Sequence, residues 1–195
     1  MKIGKVVKSD NHFVYKCRIY GKQETESEIT EKDFALSQFV KLKLNSDITI
    51  IGIIVDSELI NPDYGSLGAR ITSSFQNNIT IPDFIDETGV MIDVITVGYL
   101  EKTMSYQVLP SFIIPLNAEV ELMTNKEIIN FHLSSNGKLQ LKYYSHILNH
   151  AGKNTECLLV KVLENLMLIM DDKHHKHMSI IKQHIMSQLG LLTKV

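Results

Sequence analysis

Apolar and polar residues alternate at the start of the chain with a period of two. Two runs show this pattern, at residues 2–8 and 11–20, and a short polar turn separates them. The apolar positions of the second run are Phe13, Tyr15, Cys17 and Ile19. This alternation is typical of strands with one buried face, so it predicts a β-hairpin.

Further β-type segments follow as far as residue 123. Residues 39–44 alternate again, 47–55 and 89–100 are almost continuously apolar, and 109–123 hold an apolar segment bracketed by two prolines. Continuous β-branched runs indicate strands that are covered on both faces. Gly52 inside one of them indicates a bend or bulge, and the prolines belong to an edge or a connection.

Two stretches between these strands lack a strand pattern. Residues 22–33 are acidic without an apolar period, which predicts a solvated surface loop rather than a paired-carboxylate site. Residues 56–87 are rich in Asn, Ser, Gly and Pro. Loops longer than about 12 to 15 residues are uncommon unless they are functional or mobile, so we expect contacts with a partner or partial disorder there.

After residue 124 the period changes to that of a helix. Thr124 or Asn125 can cap a first short helix, a second is predicted at 138–149, a third begins at Asn154 or Thr155, and a fourth covers 176–190. The third has apolar residues at spacings of three and four: Leu158, Leu159, Val162, Leu163, Leu166 and Ile169. The chain is thus predicted to be α+β, with a small antiparallel β-barrel of six or seven strands at 1–124 and an α-helical domain at 125–195.

Charge and composition restrict the class of protein. The 195 residues are 44% hydrophobic and carry a formal net charge of −2, as expected of a globular protein without a general affinity for anionic polymers. Residues 1–125 hold 11 Lys and Arg against 17 Asp and Glu, whereas the remainder holds nine against five. These opposite charges could steer head-to-tail association.

No apolar run approaches the roughly 18 residues of a membrane span, and the N-terminus lacks a signal-peptide pattern, so we expect a cytoplasmic protein and no membrane partner.

The sequence contains no motif for phosphate binding or nucleophilic catalysis. The nearest glycine-rich stretch, residues 65–68, does not open a helix and has no lysine, so we interpret it as a turn. Neither a serine elbow nor a cysteine signature occurs. Cys17 and Cys157 are expected to be reduced and buried. The lysines of 138–161 are accompanied by no Arg, which argues against a nucleic-acid partner.

A run of histidines near the C-terminus suggests a metal site at first sight. His174, His177 and His184 are the candidate ligands, since two of them can share a helix face. The set contains no HExxH motif and no nearby cysteine, and adjacent lysines oppose a cation. We therefore interpret the run as a solvated turn between helices and expect no metal and no cofactor.

The first 124 residues resemble the HAS-barrel, which HerA-type ATPases share with the α and β subunits of ATP synthase. The matching segments are IGKVVKSDNHFVYKCRI, QFVKLKL, IIGIIVD, VITVGYL and LPSFIIPLNAEVELM. In that family the barrel serves ring assembly and the docking of accessory proteins. The family's ATPase domain has a Walker A loop, which this sequence does not contain, so the resemblance implies no ATP hydrolysis.

These observations predict a non-enzymatic module for oligomerisation or for docking a protein partner. The alternatives are an enzyme or metal-dependent factor that uses the histidine-rich half, and a nucleic-acid accessory protein. Apolar residues that a small domain need not bury are the candidates for the interface, with a buried position as the alternative for each: Tyr64, Leu67, Phe75, Phe84, Ile181, Ile185 and Leu189. No small-molecule substrate is indicated.

Overall fold

The structure is a computed structural model that describes residues 1–21, 24–25, 28–60, 89–102, 104–152 and 155–188. Within these residues every strand precedes every helix, which confirms the predicted α+β class. The strands are β1 (Lys2–Ser9), β2 (Val14–Ile19), β3 (Phe39–Lys43), β4 (Ile48–Ile60), β5 (Gly89–Glu101), β6 (Met104–Tyr106) and β7 (Glu119–Leu122). The helices are α1 (Asn125–His132), α2 (Tyr144–His150), α3 (Thr155–Ile169) and α4 (Asp172–Gln188).

Six strands close into an antiparallel barrel, and the seventh extends it. The hydrogen-bonded order is β2-β1-β7-β3-β4-β5, and pairing of β2 with β5 closes the circle. β6 pairs with the last residues of β5, next to the barrel wall. The predicted barrel of six or seven strands is confirmed.

Gly52 marks the bend in β4 that the sequence predicted. The register between β4 and β5 shifts between Ile51 and Gly52. A Cβ atom at Gly52 would collide with the side chain of Val94 on β5. Glycine therefore allows the two strands to approach each other where the barrel wall bends.

Two strand boundaries differ from the prediction. β4 continues to Ile60 because it keeps pairing with β5 as far as Gly89, so residues 56–60 are strand rather than loop. Their side chains are exposed or nearly so, which explains the missing hydrophobic signal. The rest of the predicted long loop, 61–88, lies outside the described residues. In the segment 109–123 only β7 is a strand, and both prolines lie in the connection before it.

The start of α1 follows the predicted capping pattern. The Oγ of Thr124 accepts a hydrogen bond from the amide of Glu127 at 3.4 Å, and the Glu127 carboxylate accepts one from the amide of Thr124 at 2.8 Å. This reciprocal capping box satisfies two amides that a helix leaves free. Of the two predicted caps, Thr124 is correct.

The second and fourth helices begin at other residues than predicted. α2 begins at Tyr144, not at 138, because the chain first turns at Gly137 (φ 68°) and Leu139 pairs with Leu133 in an isolated bridge. α4 begins at Asp172, not at 176. The interpretation of the histidine run as a turn between helices was wrong, because these histidines form the first turns of α4.

The hydrophobic core has two parts, one inside the barrel and one between the barrel and the helices. The barrel interior includes Ile3, Val6, Tyr15, Cys17, Leu42, Ile92 and Val120. The outer part combines strand and helix residues, among them Phe39, Ile51, Ile95, Val97, Phe131, Ile147, Leu158, Val162 and Leu166. The predicted apolar face of α3 is buried here except for Ile169, which is half-buried. Because this part of the core draws on both halves, the helices and the barrel stabilise each other.

Candidate interaction surface

The connection between β6 and β7, residues 107–118, presents apolar side chains to solvent. It contains five of the 13 exposed large hydrophobic side chains found in the described part of the chain, namely Val108, Leu109, Phe112, Ile113 and Leu116. Ile113 and Leu116 are 67% and 66% exposed. No residue of this connection is charged. Clustered exposed apolar residues of this kind mark interaction surfaces in soluble proteins.

Buried residues at regular intervals hold the β6–β7 connection against the barrel. Gln107, Pro110, Ile114 and Ala118 are buried, and the exposed apolar residues lie between them. The amide of Ile114 donates to the hydroxyl of Tyr15 at 3.2 Å. The amide of Val6 donates to the carbonyl of Ala118 at 2.9 Å. The connection is therefore fixed to the barrel while its apolar side chains point outwards.

Gln107 links the start of the β6–β7 connection to the helical half. Its Nε2 donates to the carbonyls of Phe131 at 2.9 Å and Gln140 at 3.1 Å, and its Oε1 accepts from the amide of Lys142 at 2.8 Å. Three backbone groups are thus satisfied by one buried amide. These three hydrogen bonds tie the connection to the last turn of α1 and to the chain just before α2.

Stacked aromatic rings border the β6–β7 connection on the barrel side. Tyr99 of β5 and Tyr106 of β6 stack with ring centroids 5.0 Å apart, and Phe112 contacts Tyr99 edge-on at 6.2 Å. Aromatic rings supply large contact areas at low cost in conformational entropy. These rings and the exposed aliphatic side chains of the connection form an apolar surface suited to a protein contact.

A cleft lies between the barrel and α3. This cleft has a volume of about 170 Å³, and its lining comprises Ser37, Gln38, Phe39, Asn125, Ile128, Asn165, Leu166, Leu168 and Ile169. The Nδ2 of Asn165 donates to the Oγ of Ser37 at 2.7 Å. None of the lining residues is ionisable. The cleft therefore offers no acid or base, and its one hydroxyl is already hydrogen-bonded.

His132 and Tyr143 form a buried polar pair between α1 and α2. The His132 Nδ1 lies 2.7 Å from the carbonyl of Ile128, which can only accept, so Nδ1 carries the proton. The Nε2 then accepts from the Tyr143 hydroxyl at 2.7 Å. Burial lowers the pKa of His132 to about 4, so the imidazole is neutral at pH 7. Both nitrogens are occupied, which indicates a structural role.

A family model described as a domain of unknown function, DUF8166, matches residues 1–190. The chain belongs to the DUF8166 family. The match extends over the barrel and the described part of all four helices, so the family domain includes both halves. A search of curated proteins gave no match.

Only two of the predicted interface residues of this DUF8166 chain fall on described side chains. Ile181 is half-buried and Ile185 is fully buried in the outer core, so the buried alternative holds for Ile185. The remaining predicted residues, Tyr64, Leu67, Phe75, Phe84 and Leu189, lie outside the described residues. The exposed apolar residues of 107–118 were missed. Their sequence signal is a connection of twelve residues with two prolines and no charge.

The predicted metal candidates do not converge in the DUF8166 structure. His174 is buried on the inner face of α4, whereas His177 and His184 are exposed. Among the described residues no three His, Cys, Asp or Glu side chains are grouped so that they could hold a metal ion. The alternative of a metal-dependent factor built on this run of histidines gains no support from the geometry.

The two cysteines lie in different environments. Cys17 is buried inside the barrel, where burial raises the pKa of its thiol to about 12. Cys157 is exposed near the start of α3, so the prediction that it is buried was wrong. Cys157 lies outside the apolar stripe of α3. Its neighbours Leu158 and Leu159 belong to that stripe and point into the core.

None of the helices within the described residues is long and apolar enough to cross a membrane.

Proposed function

We propose that this DUF8166 chain is a non-enzymatic assembly module that contacts another protein, or a second copy of itself, through the β6–β7 connection. The observation that carries the proposal is the exposed, uncharged set of apolar side chains at 108–116. Burying such side chains contributes about 25 cal/mol for each Å² of apolar surface removed from water. A protein contact is the ordinary way to remove that surface.

The fixed geometry of the β6–β7 connection favours this function over a flexible loop. Hydrogen bonds to Tyr15, Val6 and His12 hold it at several points, the last through Pro110 at 3.0 Å. A surface that is already ordered loses little conformational entropy when it binds. The role proposed for this module is similar to that of the barrels of HerA-type ATPases, which serve assembly and docking.

The cleft between the barrel and α3 and the buried His132 are not part of the proposed surface. The cleft beside Ser37 is lined by residues that cannot ionise, and the buried His132 has both nitrogens occupied. We include a cytoplasmic location in the proposal, which suits a chain whose two cysteines are free thiols.

Site-specific photo-crosslinking tests the proposed surface. A photoreactive amino acid at Ile113 or Leu116 is expected to give one discrete crosslinked product, with the chain itself or with a single other protein. The matched control is Ile180 on α4, which is 58% exposed and lies outside the β6–β7 connection. Equal products from Ile180 and Ile113, or none from Ile113 and Leu116, would overturn the proposal.

A further inference from the structure

The cleft between the barrel and α3 is built around Ser37, two residues before β3. Ser37 has a φ of 72°, in the left-handed region that residues other than glycine rarely adopt. Its amide donates to the carbonyl of Ile54 at 2.9 Å, and the amide of Ile54 donates to the carbonyl of Gln38 at 3.0 Å. These bonds to β4 hold Ser37 in its strained conformation. Backbone positions of this kind cluster at sites that bind ligands.

The polar groups of the cleft have hydrogen-bonding capacity left over. Ser37 is only 1% exposed, and its Oγ accepts a hydrogen bond from Nδ2 of Asn165 at 2.7 Å, so the hydroxyl still has its own proton to donate. Within the described part of the chain, neither this proton nor Oδ1 of Asn165 has a partner. The cleft can therefore both donate a hydrogen bond to a bound molecule and accept one from it.

The other walls of the cleft are apolar. Phe39, Ile128 and Leu166 are buried there, and Leu168, which also lines the cleft, is 84% exposed. The volume of about 170 Å³ is close to the roughly 150 Å³ of a cavity that holds benzene. Because no described lining residue ionises, a charged ligand would lose hydration without gaining a partner of opposite charge. The fitting ligand is small, uncharged and partly apolar.

We propose that this cleft binds an uncharged carboxamide that carries a short branched aliphatic group. The carboxamide oxygen accepts from the Ser37 hydroxyl, and its N–H donates to Oδ1 of Asn165. The aliphatic group packs against Phe39, Ile128 and Leu168. A small number of polar groups set among apolar walls is typical of small-ligand sites. Both free carboxamides and leucine residues of a peptide have this chemistry, and no residue of the β6–β7 connection lines the cleft.

NMR titration of the ¹⁵N-labelled full chain with isovaleramide, a neutral branched carboxamide, tests the site. Wild type is expected to show saturable shifts of the Gln38 backbone amide and the Asn165 side-chain amide, with the roughly millimolar affinity of so small a ligand. Isovalerate has the same carbon skeleton and a negative charge, so it should bind at least about tenfold more weakly. N-acetyl-leucinamide distinguishes the two sources: affinity equal to or above that of isovaleramide indicates a peptide, and lower affinity indicates a free carboxamide.

Two variants remove the polar groups of the site. S37G removes the hydroxyl, and glycine adopts a positive φ without strain, so we expect a folded protein that binds isovaleramide about three- to tenfold more weakly. N165L replaces the half-buried amide by an apolar side chain and should weaken binding at least about tenfold.

The matched control is S134A, which removes a hydroxyl that accepts from the amide of Lys138 outside the cleft. It should bind isovaleramide as wild type does, and thermal melting checks that each variant is folded. No saturable binding by wild type, equal affinity for isovalerate and isovaleramide, or wild-type affinity in S37G and N165L would each overturn the proposal.

Discussion

The hydroxyl of Tyr15, inside the barrel, accepts a hydrogen bond from the amide of Ile114 at 3.2 Å and donates one to the carbonyl of His12 at 3.1 Å. A single buried side chain thereby joins β2, the turn before it and the β6–β7 connection. Tyr15 is only 1% exposed, so these bonds form away from water. These hydrogen bonds of Tyr15 help to hold the proposed contact surface in its ordered conformation.

Tyr15→Phe is expected to destabilise the protein by about 1 to 3 kcal/mol, because it leaves the buried amide of Ile114 without an acceptor. Urea unfolding measures the change. Tyr20→Phe, at a half-buried tyrosine of the barrel exterior, is the control and should change stability by less than about 0.5 kcal/mol. Equal stability of Tyr15→Phe and wild type would show that the bond does not hold the connection.

Stability is expected to fall as the pH is lowered from about 6.5 to 4, because of His132. Burial holds the pKa of this imidazole at about 4 in the folded protein, against about 6.5 in the unfolded chain. In this window the unfolded state binds more protons, so acid favours unfolding by up to about 1.4 kcal/mol for each pH unit. Denaturant unfolding at several pH values measures the slope.

The non-titrating variant His132→Gln provides the comparison for that slope. Its stability at pH 7 is expected to be lower than that of wild type, since the bonds to Ile128 and Tyr143 are altered. Between pH 6.5 and 4 it should lose less stability than wild type does. Parallel pH profiles for the two proteins would show that His132 does not carry the effect.

Gly98→Ala is expected to cost about 1 to 3 kcal/mol through overpacking. An added Cβ would collide with the carbonyl of Tyr106 and would lie 2.9 Å from the ring of Phe131. Gly98 is thus the point where β5, β6 and α1 approach one another. The control is Gly89→Ala, whose Cβ would meet Arg18 at an ordinary 3.8 Å. Thermal melting of both variants tests the difference, and equal melting temperatures would contradict it.

Glu127→Gln is expected to reduce stability by about 1 kcal/mol. Burial opposes ionisation of Glu127, yet hydrogen bonds from Lys41 and Thr124 outweigh it and lower its pKa. The Lys41 Nζ lies 2.6 Å from its carboxylate, which joins β3 to the start of α1. Glu119→Gln, which removes the exposed ion pair with Lys2, should have almost no effect on urea unfolding. A larger loss for Glu119→Gln would contradict the assignment.

Elements with a clear hydrophobic period could be predicted from the sequence. The alternation around Tyr15 and Cys17 marks β2, and the stripe from Leu158 to Leu166 marks α3. The start of α4 was missed because a histidine, His174, occupies the buried stripe of that helix with Met178 and Ile185. Residues 56–60 were not predicted as a strand because this part of β4 is exposed and its sequence shows no alternation of apolar and polar residues.

The candidate surface depends on contacts that no local pattern shows. The apolar residues near Ile113 fit a buried strand as well as an exposed connection. Hydrogen bonds to Tyr15, Val6 and His12, all far away in the sequence, fix their orientation. Tertiary contacts therefore decide which of these residues face solvent.

Light-scattering chromatography at micromolar concentration, in low and in high salt, tests the contact surface most directly. Wild type is expected to form a defined multimer that persists in high salt, because apolar burial is not screened as charge attraction is. The double variant I113D/L116D should be monomeric, and the control I180D should keep the wild-type mass. The same multimer for I113D/L116D as for wild type would contradict assembly through the β6–β7 connection, and a monomeric wild type would contradict self-association through it.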